Sequence, residues 1–321
     1  MRIVSLLPSA TETLFALGLG EEVVGVSHEC DFPAQAKTKR VVIHSRLPHD
    51  AVPAELDRLV RESVARGESL YSVDAQALTE LAPDLIVTQD LCQVCAASPD
   101  DLATTLAGMP DPPEMLCLNS QDLGDVWRDI LWLGEETRRG HEAEALLETI
   151  GERLGGMERQ LENIEHRPRV AILEWLQPFY VAGHWVPEMI EFAGGKDVLG
   201  KKCTPSFRVS AEEVITSDPE ILLFAPCGYN ARQAREEYLA MAFPPEWSDM
   251  AAVRNGRVYA LDATSYFSRP GPRLITGIEV LAKILHSGVA VSREAEQAVL
   301  PIPVSASATA TAPAPSRAAS A

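Results

Sequence analysis

The strongest constraint on this chain is a proline-free stretch of helical periodicity lying between two blocks of a different pattern. From Gln121 to about Ile164, apolar residues recur at helical spacing: Leu123, Val126, Trp127 and Ile130, then Ala143, Leu146, Ile150, Leu154, Met157, Leu161 and Ile164. One straight helix of that length would reach roughly 65 Å at its per-residue rise. Gly134, Gly140, Gly151 and the pair Gly155-Gly156 weaken or bend it. Two helices joined at Gly140 is the alternative that these glycines leave open.

Both flanking blocks alternate short apolar strands with capped helices. In the first, "RIVSLL", "EVVGVS", "RVVIH", "DLIVT" and "EMLCL" have strand composition. Between them, Ser9 to Glu12 fits a capping box with Gly18 at the stop, and Pro53 opens "PAELDRLVRESVARG". Asp74 caps a short helix ahead of Pro83, and Ser98-Pro99 starts another. In the second block "RVAILEW", "EILLFA" and "RVYALD" are strands. "VPEMIEFAGG", the capping box Ser210 to Glu213, "RQAREEYLAMA" and the span from Pro272 to His286 mark helices. Strands separated by helices at this spacing imply mainly parallel sheets covered on both faces.

The predicted fold is α/β: two Rossmann-like lobes, 1–119 and 166–287, joined by a long helix over 120–165, with a ligand cleft between the lobes. Residues 288–321, rich in Ala, Ser, Thr and Pro, are expected to be a disordered tail. An internal echo supports related lobes. "LAPDLIVTQDLC" (81–92) and "TSDPEILLFAPC" (216–227) share a helix end, a proline, an acidic residue, an apolar strand and a cysteine just beyond it.

Charge narrows the partners. The chain has 321 residues and a formal net charge of -18. Such a surface repels phosphate backbones and anionic lipid, which argues against nucleic-acid partners. No apolar run approaches the ~20 residues of a membrane-spanning helix, so no membrane insertion is expected. The opening "MRIVSLLPSATETLFALG" lacks an apolar h-region and a small-residue cleavage site. A cytoplasmic location is therefore the expectation, the periplasm requiring a misassigned start. In that reducing compartment, six cysteines are thiols or metal ligands rather than disulfides.

In open α/β sheets, ligands bind beyond the carboxyl ends of the strands. Those segments hold Ser9 in "PSATE", His28 and Cys30 in "HECDFP", and Cys92 and Cys95 in "QDLCQVC". In the second block they hold Trp175, Tyr180, His184 and Trp185 in "EWLQPFYVAGHW", Cys227 in "PCGYN", and Tyr266, Phe267 and Arg269 in "ATSYFSRPGPR". With Phe207 and Tyr229, these segments concentrate aromatics in a chain where aromatics are 6% of residues. Flat side chains with polar tips suit a planar or ring-shaped ligand. For any single ring, plugging the lobe interface is the simpler use. Arg208, Arg269 and Arg273 suit propionamide, phosphate or carboxylate groups, with pairing to acids at a helix start as the alternative for Arg273.

Cys30, Cys92, Cys95 and Cys227 form a candidate metal set for zinc or an iron–sulfur cluster, with His28 or His184 in reserve. Thiols beside a ligand are an equal reading. Cys117 falls within a strand and reads as a small buried hydrophobe. No nucleophile elbow, phosphate-binding glycine loop or H-E-x-x-H occurs, so no motif supports catalysis.

"RIVSLLPSATETLFALGLGEEVVGVSHECDFP", the central helical span, "AGGKDVLG" and "SYFSRPGPRLITGIEVLAKILH" resemble the substrate-binding proteins of ABC importers in the cobalamin and ferric-siderophore class. More narrowly, the chain resembles a leaderless, cysteine-containing branch described as cobalamin-binding. The resemblance runs from Arg2 to His286. It implies two lobes joined by a rigid helix, little hinge closure, and aromatic loops around Trp175, Trp185 and Tyr266 facing a sandwiched ligand. The implied ligand is cobalamin or a related corrinoid, and the implied partner an ABC transporter permease. His184 is then a ligand-facing residue or a cobalt ligand, or else a helix cap. The chain departs from the importer pattern in lacking an export signal and in carrying the cysteine group. The expectation is a non-enzymatic corrinoid carrier, with Trp175, Trp185, Tyr266 and Phe267 packing the ring. The alternatives are a metalloprotein built on the cysteines, and a haem or ferric-siderophore binder.

Overall fold

The computed structural model describes residues 1–48, 53–89 and 97–303. The first lobe runs β1 (Ile3–Ser5), α1 (Pro8–Ala16), β2 (Val23–Ser27), β3 (Arg40–Ser45), α2 (Pro53–Ala65), β4 (Tyr71–Val73), α3 (Ala75–Leu81), β5 (Leu85–Gln89), α4 (Pro99–Ala107) and β6 (Glu114–Leu118). Its strands form one six-stranded sheet in the order β4-β3-β2-β1-β5-β6. Every pairing is parallel except β3 with β4. All residues of β1 and β5 are buried. That is the mark of central strands covered on both faces.

Two helices follow, α5 (Leu123–Glu136) and α6 (Gly140–Leu161). The single long helix expected over 120–165 is thus divided at 137–139, where Arg138 takes a positive φ of 60°. The physical reason is Gly134. A Cβ there would lie 2.5 Å from the Cβ of Ala143 and 3.0 Å from the Arg139 carbonyl oxygen. Only a glycine lets the start of α6 fold back that closely. The 22 residues of α6 span roughly 33 Å.

The second lobe contains β7 (Arg169–Leu176), β8 (Phe179–Val181), α7 (Val186–Phe192), β9 (Lys196–Asp197), β10 (Phe207–Arg208), α8 (Ala211–Ser217), β11 (Ile221–Phe224), α9 (Ala231–Ala240), α10 (Ala251–Arg254), β12 (Val258–Ala260), α11 (Ala263–Tyr266), α12 (Leu274–Leu285), α13 (Arg293–Ala298) and β13 (Leu300–Pro301). Its seven-stranded sheet has the order β10-β8-β7-β11-β12-β13, with β9 beside β7. β7, β11, β12 and β9 run parallel, while β8, β10 and β13 are antiparallel additions at the two ends.

Helix starts match their sequence signals at Asp74, whose carboxylate accepts from the Ala77 amide, and at Ser210 with Glu213, a complete capping box. The internal echo is also geometric. Ala82 and Asp218 end α3 and α8 in the left-handed region, at φ 40° and 39°, each before a proline and a buried strand.

Three expectations are corrected. α1 starts at Pro8 with Leu7 as its cap, and no side chain caps it. Ser9 to Glu12 is therefore not a capping box: proline at the first helical position fixes the start two residues too early. Residues 288–303 are ordered rather than tail. The Ser292 hydroxyl caps α13, Ala295 is buried, and β13 pairs with β12. The third is the unbroken helix already described.

One apolar cluster joins the lobes. It contains Ile3, Val23 and Val87 from the first sheet, Val170, Ile172 and Ile221 from the second, and Ala143, Ile150, Met157 and Leu161 from α6. Arg153 on α6 clamps Glu279 of α12 through two hydrogen bonds of 2.9 Å and also donates to Thr276. The fold is therefore two lobes on a shared core.

Candidate functional site

The carboxyl ends of the parallel strands of both lobes face each other, and several links join them. On one side, the loop after α11 reaches the start of α1. Gly271 packs over Ser9, so Ser9 is covered. Arg273 donates to both carboxylate oxygens of Glu12 at 2.8 and 2.5 Å. Arg269 donates to Glu12, to Asp31 and to the Glu29 carbonyl at 3.2, 2.6 and 2.9 Å. The Arg273 guanidinium also lies 4.0 Å from the Phe32 ring centre and 5.8 Å from that of Tyr266. The Glu12 side chain is only 3% exposed, so this is a desolvated ion cluster holding the lobes together. Arg269, expected to meet ligand, is committed to it. Tyr266 sits at its edge, its hydroxyl donating to Glu294 of α13.

On the other side, the Leu123 amide donates to Glu188 at 2.9 Å, tying the start of α5 to the start of α7. At the outer rim, Arg208 of β10 lies 3.4 Å from Asp57 of α2, a contact between lobes.

Between these links stands a wall of the second lobe. Trp175 of β7 is paired directly with Tyr180 of β8, and Tyr180 with Arg208 of β10. Cross-strand partners share one face of a sheet. Trp175, Tyr180 and Arg208 thus form a row, with the guanidinium 5.7 Å from the Tyr180 ring centre. Trp175 meets Tyr229 edge-on at 6.1 Å. Trp175, Tyr180 and Tyr229 are each half-buried, so part of each ring stays open. Phe207 pairs with buried Val181 and faces the opposite side of the hairpin, packed on the lobe's own core. It does not join the row.

His184 follows β8 and has a positive φ of 49°. The strain is held by the 203–206 segment: its amide donates to the Thr204 carbonyl at 2.7 Å, and its carbonyl accepts from Cys203. Gly183 allows this, since a Cβ there would lie 2.2 Å from the Thr204 oxygen. The His184 ring stacks on Trp185 at 5.5 Å, and its Nδ1 is buried with no hydrogen-bond partner among the described residues. Burial lowers its pKa, favouring the neutral imidazole. Trp185 and Phe267, expected to pack the ligand, are 5% and 2% exposed, and the Trp185 indole donates to the Phe267 carbonyl. Both are core residues that support the wall from behind.

In the first lobe, half-buried His28 contacts the Ile43 carbonyl through Nδ1, and its ring lies 6.3 Å from that of Tyr71. Cys30 is buried, its sulfur receiving the Thr11 hydroxyl at 3.1 Å and lying 3.3 Å from the Ser27 hydroxyl. Burial raises its pKa, favouring the thiol. Cys227 is exposed on the second lobe. Cys92 and Cys95 lie outside the described residues. Among the described residues no group of three or more His, Cys, Asp or Glu could hold a metal, and two members of the expected four-cysteine set lie outside them.

Sequence reasoning missed Glu12 as the interlobe anion, because its partners lie 257 and 261 residues away. It also missed Glu174, beside Trp175. Burial pushes its carboxyl up to about 7, against the hydrogen bond from Ser206 and with a small contribution from Asp197.

Two hollows stand out. One of about 530 Å³ lies at the carboxyl edge of the first sheet, lined by Arg46, Tyr71 and Ser98 among others. One of about 690 Å³ lies by Arg257 and Leu285. That is the amino edge of the second sheet, away from the crevice. No helix of the described residues is long and apolar enough to cross a membrane.

Comparison with known proteins agrees with this architecture. The vitamin B12-binding protein of Vibrio parahaemolyticus is 24% identical over 279 residues, 86% of each chain. An ABC transporter substrate-binding lipoprotein of Bacillus subtilis, itself uncharacterized, is 23% identical over 294 residues, covering 89% of this chain and 80% of its own. Among solved structures, a periplasmic haem-binding protein from Roseiflexus sp. RS-1 superposes with a TM-score of 0.67 at 23% identity, covering 89% of this chain and 98% of that one. The periplasmic vitamin B12-binding protein of Vibrio cholerae gives 0.61 at 22%, covering 88% and 96%. The model of the periplasmic binding protein family matches residues 3–264. This chain belongs to that family of solute-binding proteins.

Proposed function

We propose that the protein is a carrier for a corrinoid of the vitamin B12 class, held between the lobes against the face made by Trp175 and Tyr180. The observation that carries this reading is that row of part-open rings at the carboxyl end of the second sheet, with Tyr229 edge-on to it. A ring system many ångströms across gains most from flat aromatic surface, and the polar tips can meet peripheral amides. Relatives named as vitamin B12-binding across 86% or more of their length favour a corrinoid. An ABC transporter permease is the partner that such relatives suggest.

Haem is the second reading, favoured by His184. Burial favours its neutral imidazole, and its buried Nδ1 lacks a partner among the described residues. Haem-binding proteins also share the fold.

Equilibrium titration with hydroxocobalamin and with haemin, followed by visible absorbance, tests both. The corrinoid reading expects saturable one-to-one uptake of hydroxocobalamin with weaker haemin binding. Uptake of haemin alone transfers the site to the second reading, and uptake of neither overturns both.

A further inference from the structure

We propose that Arg208 reads an anionic oxygen group on the ring ligand, and that Asp57 of α2 holds its guanidinium across the mouth of the cleft until such a ligand takes it over. The inference rests on the ring-ligand reading above and adds a charge requirement to it.

Arg208 ends the row that starts at Trp175 and passes through Tyr180. A ring lying on those two side chains would bring its periphery to the guanidinium. The side chain is 47% exposed, so its planar fork is open to a second partner. Its bond to Asp57 is weak by geometry. At 3.4 Å it exceeds the usual N–H to oxygen range of about 2.7–3.2 Å.

Asp57 has a stronger partner. Arg61, one helical turn along α2, approaches it at 2.8 Å. Asp57 is only 10% exposed. Losing its sole cation would therefore be costly, but it keeps Arg61 when Arg208 departs. The exchange replaces a long, strained pairing with a shorter one and strands no buried charge.

The surroundings make the choice selective. In a chain of net charge -18, an anionic ligand meets general repulsion. Arg269 and Arg273, which also lie between the lobes, are locked onto Glu12. Arg208, on the wall itself, is exposed enough to move. α2 suits the role of a releasable arm. Leu56, Leu59 and Val60 on its inward side are only half-buried, so its attachment to the body is light.

The test measures dissociation constants for three rings at two salt concentrations. Hydroxocobalamin carries a phosphodiester, haemin carries two carboxylates, and dicyanocobinamide carries neither. Wild type, Arg208→Gln, Arg208→Lys and Asp57→Asn are compared after circular dichroism shows equal folding. Arg208→Gln is expected to weaken the anionic rings about tenfold and leave dicyanocobinamide unchanged. Arg208→Lys should fall between. Asp57→Asn should tighten the anionic rings several-fold, because it removes the competitor. The arm that loses most identifies the anion, phosphodiester or carboxylate. Equal affinity of Arg208→Gln and wild type for all three rings overturns the inference while leaving the ring reading intact. Equal weakening of all three also overturns it, since Arg208 would then act by packing. Failure of wild type to bind any ring overturns both.

Discussion

Glu12 shows how one residue can be misjudged from its neighbours and understood from its partners. The spacing Ser-Ala-Thr-Glu looks local, yet the carboxylate is buried against two guanidiniums from the other lobe. Replacing Glu12 by Ala leaves Arg273 part-buried without its carboxylate and Arg269 with Asp31 alone. The expected cost is on the order of 3 kcal/mol, read as a lowered urea midpoint with little change in slope. Glu174 gives a pH signature. Its folded carboxyl sits near 7, above the ordinary 4.5, because burial disfavours the charge. The folded state therefore holds this proton more tightly than the unfolded chain. The resulting stability is fully present below pH 4.5, declines as pH rises towards 7, and is absent above it. Glu174→Gln should flatten that part of the stability profile, and an unchanged slope would show that the carboxyl is not buried as described. Nothing in "ILEWL" foretold this. Ser206, which donates to this carboxyl, is joined to β7 only by the fold.

Elements were legible where their signals are local. Capping side chains at Asp74 and Ser210 and the left-handed ends at Ala82 and Asp218 all lie within a few residues of what they control. The strands β4, β8 and β10 were not read, being two or three residues long and stabilised by antiparallel partners rather than by pattern. The two-helix alternative to one long helix puts the join at Gly140, whereas the decisive glycine is Gly134, whose need is set by a contact. α13 and β13 were missed because they are six and two residues long and are held by contacts with distant residues. The Ser292 hydroxyl binds Glu279 of α12, and Gln160 of α6 binds both backbone groups of Ala290. Truncation after Ile302 is expected to leave the melting temperature unchanged. Truncation after Gly288 should lower it by several degrees, because β12 loses its edge partner and Glu279 loses Ser292. Equal melting of the two truncations would contradict that account.

For the molecule as a whole, two sheets in two lobes were expected and are present. What sequence could not supply is which rings face the space between the lobes. Of the aromatics singled out, Trp175 and Tyr180 line the wall, Trp185 and Phe267 are buried behind it, and Phe207 points away. Strand alternation decides among them, and register is fixed only by pairing. The apolar cluster running through both lobes and α6 predicts that they unfold together. Thermal transitions followed by far-ultraviolet circular dichroism and by tryptophan fluorescence should coincide, and two separated midpoints would mean independent lobes.

The central claim, that a ring ligand lies on the Trp175–Tyr180 face, is tested most directly by the affinity of the Trp175→Ala, Tyr180→Ala double variant for hydroxocobalamin, measured by equilibrium dialysis against wild type. Loss of both rings should weaken binding at least tenfold, about 1.4 kcal/mol or more, with folding intact. Undiminished uptake by the double variant would contradict the account.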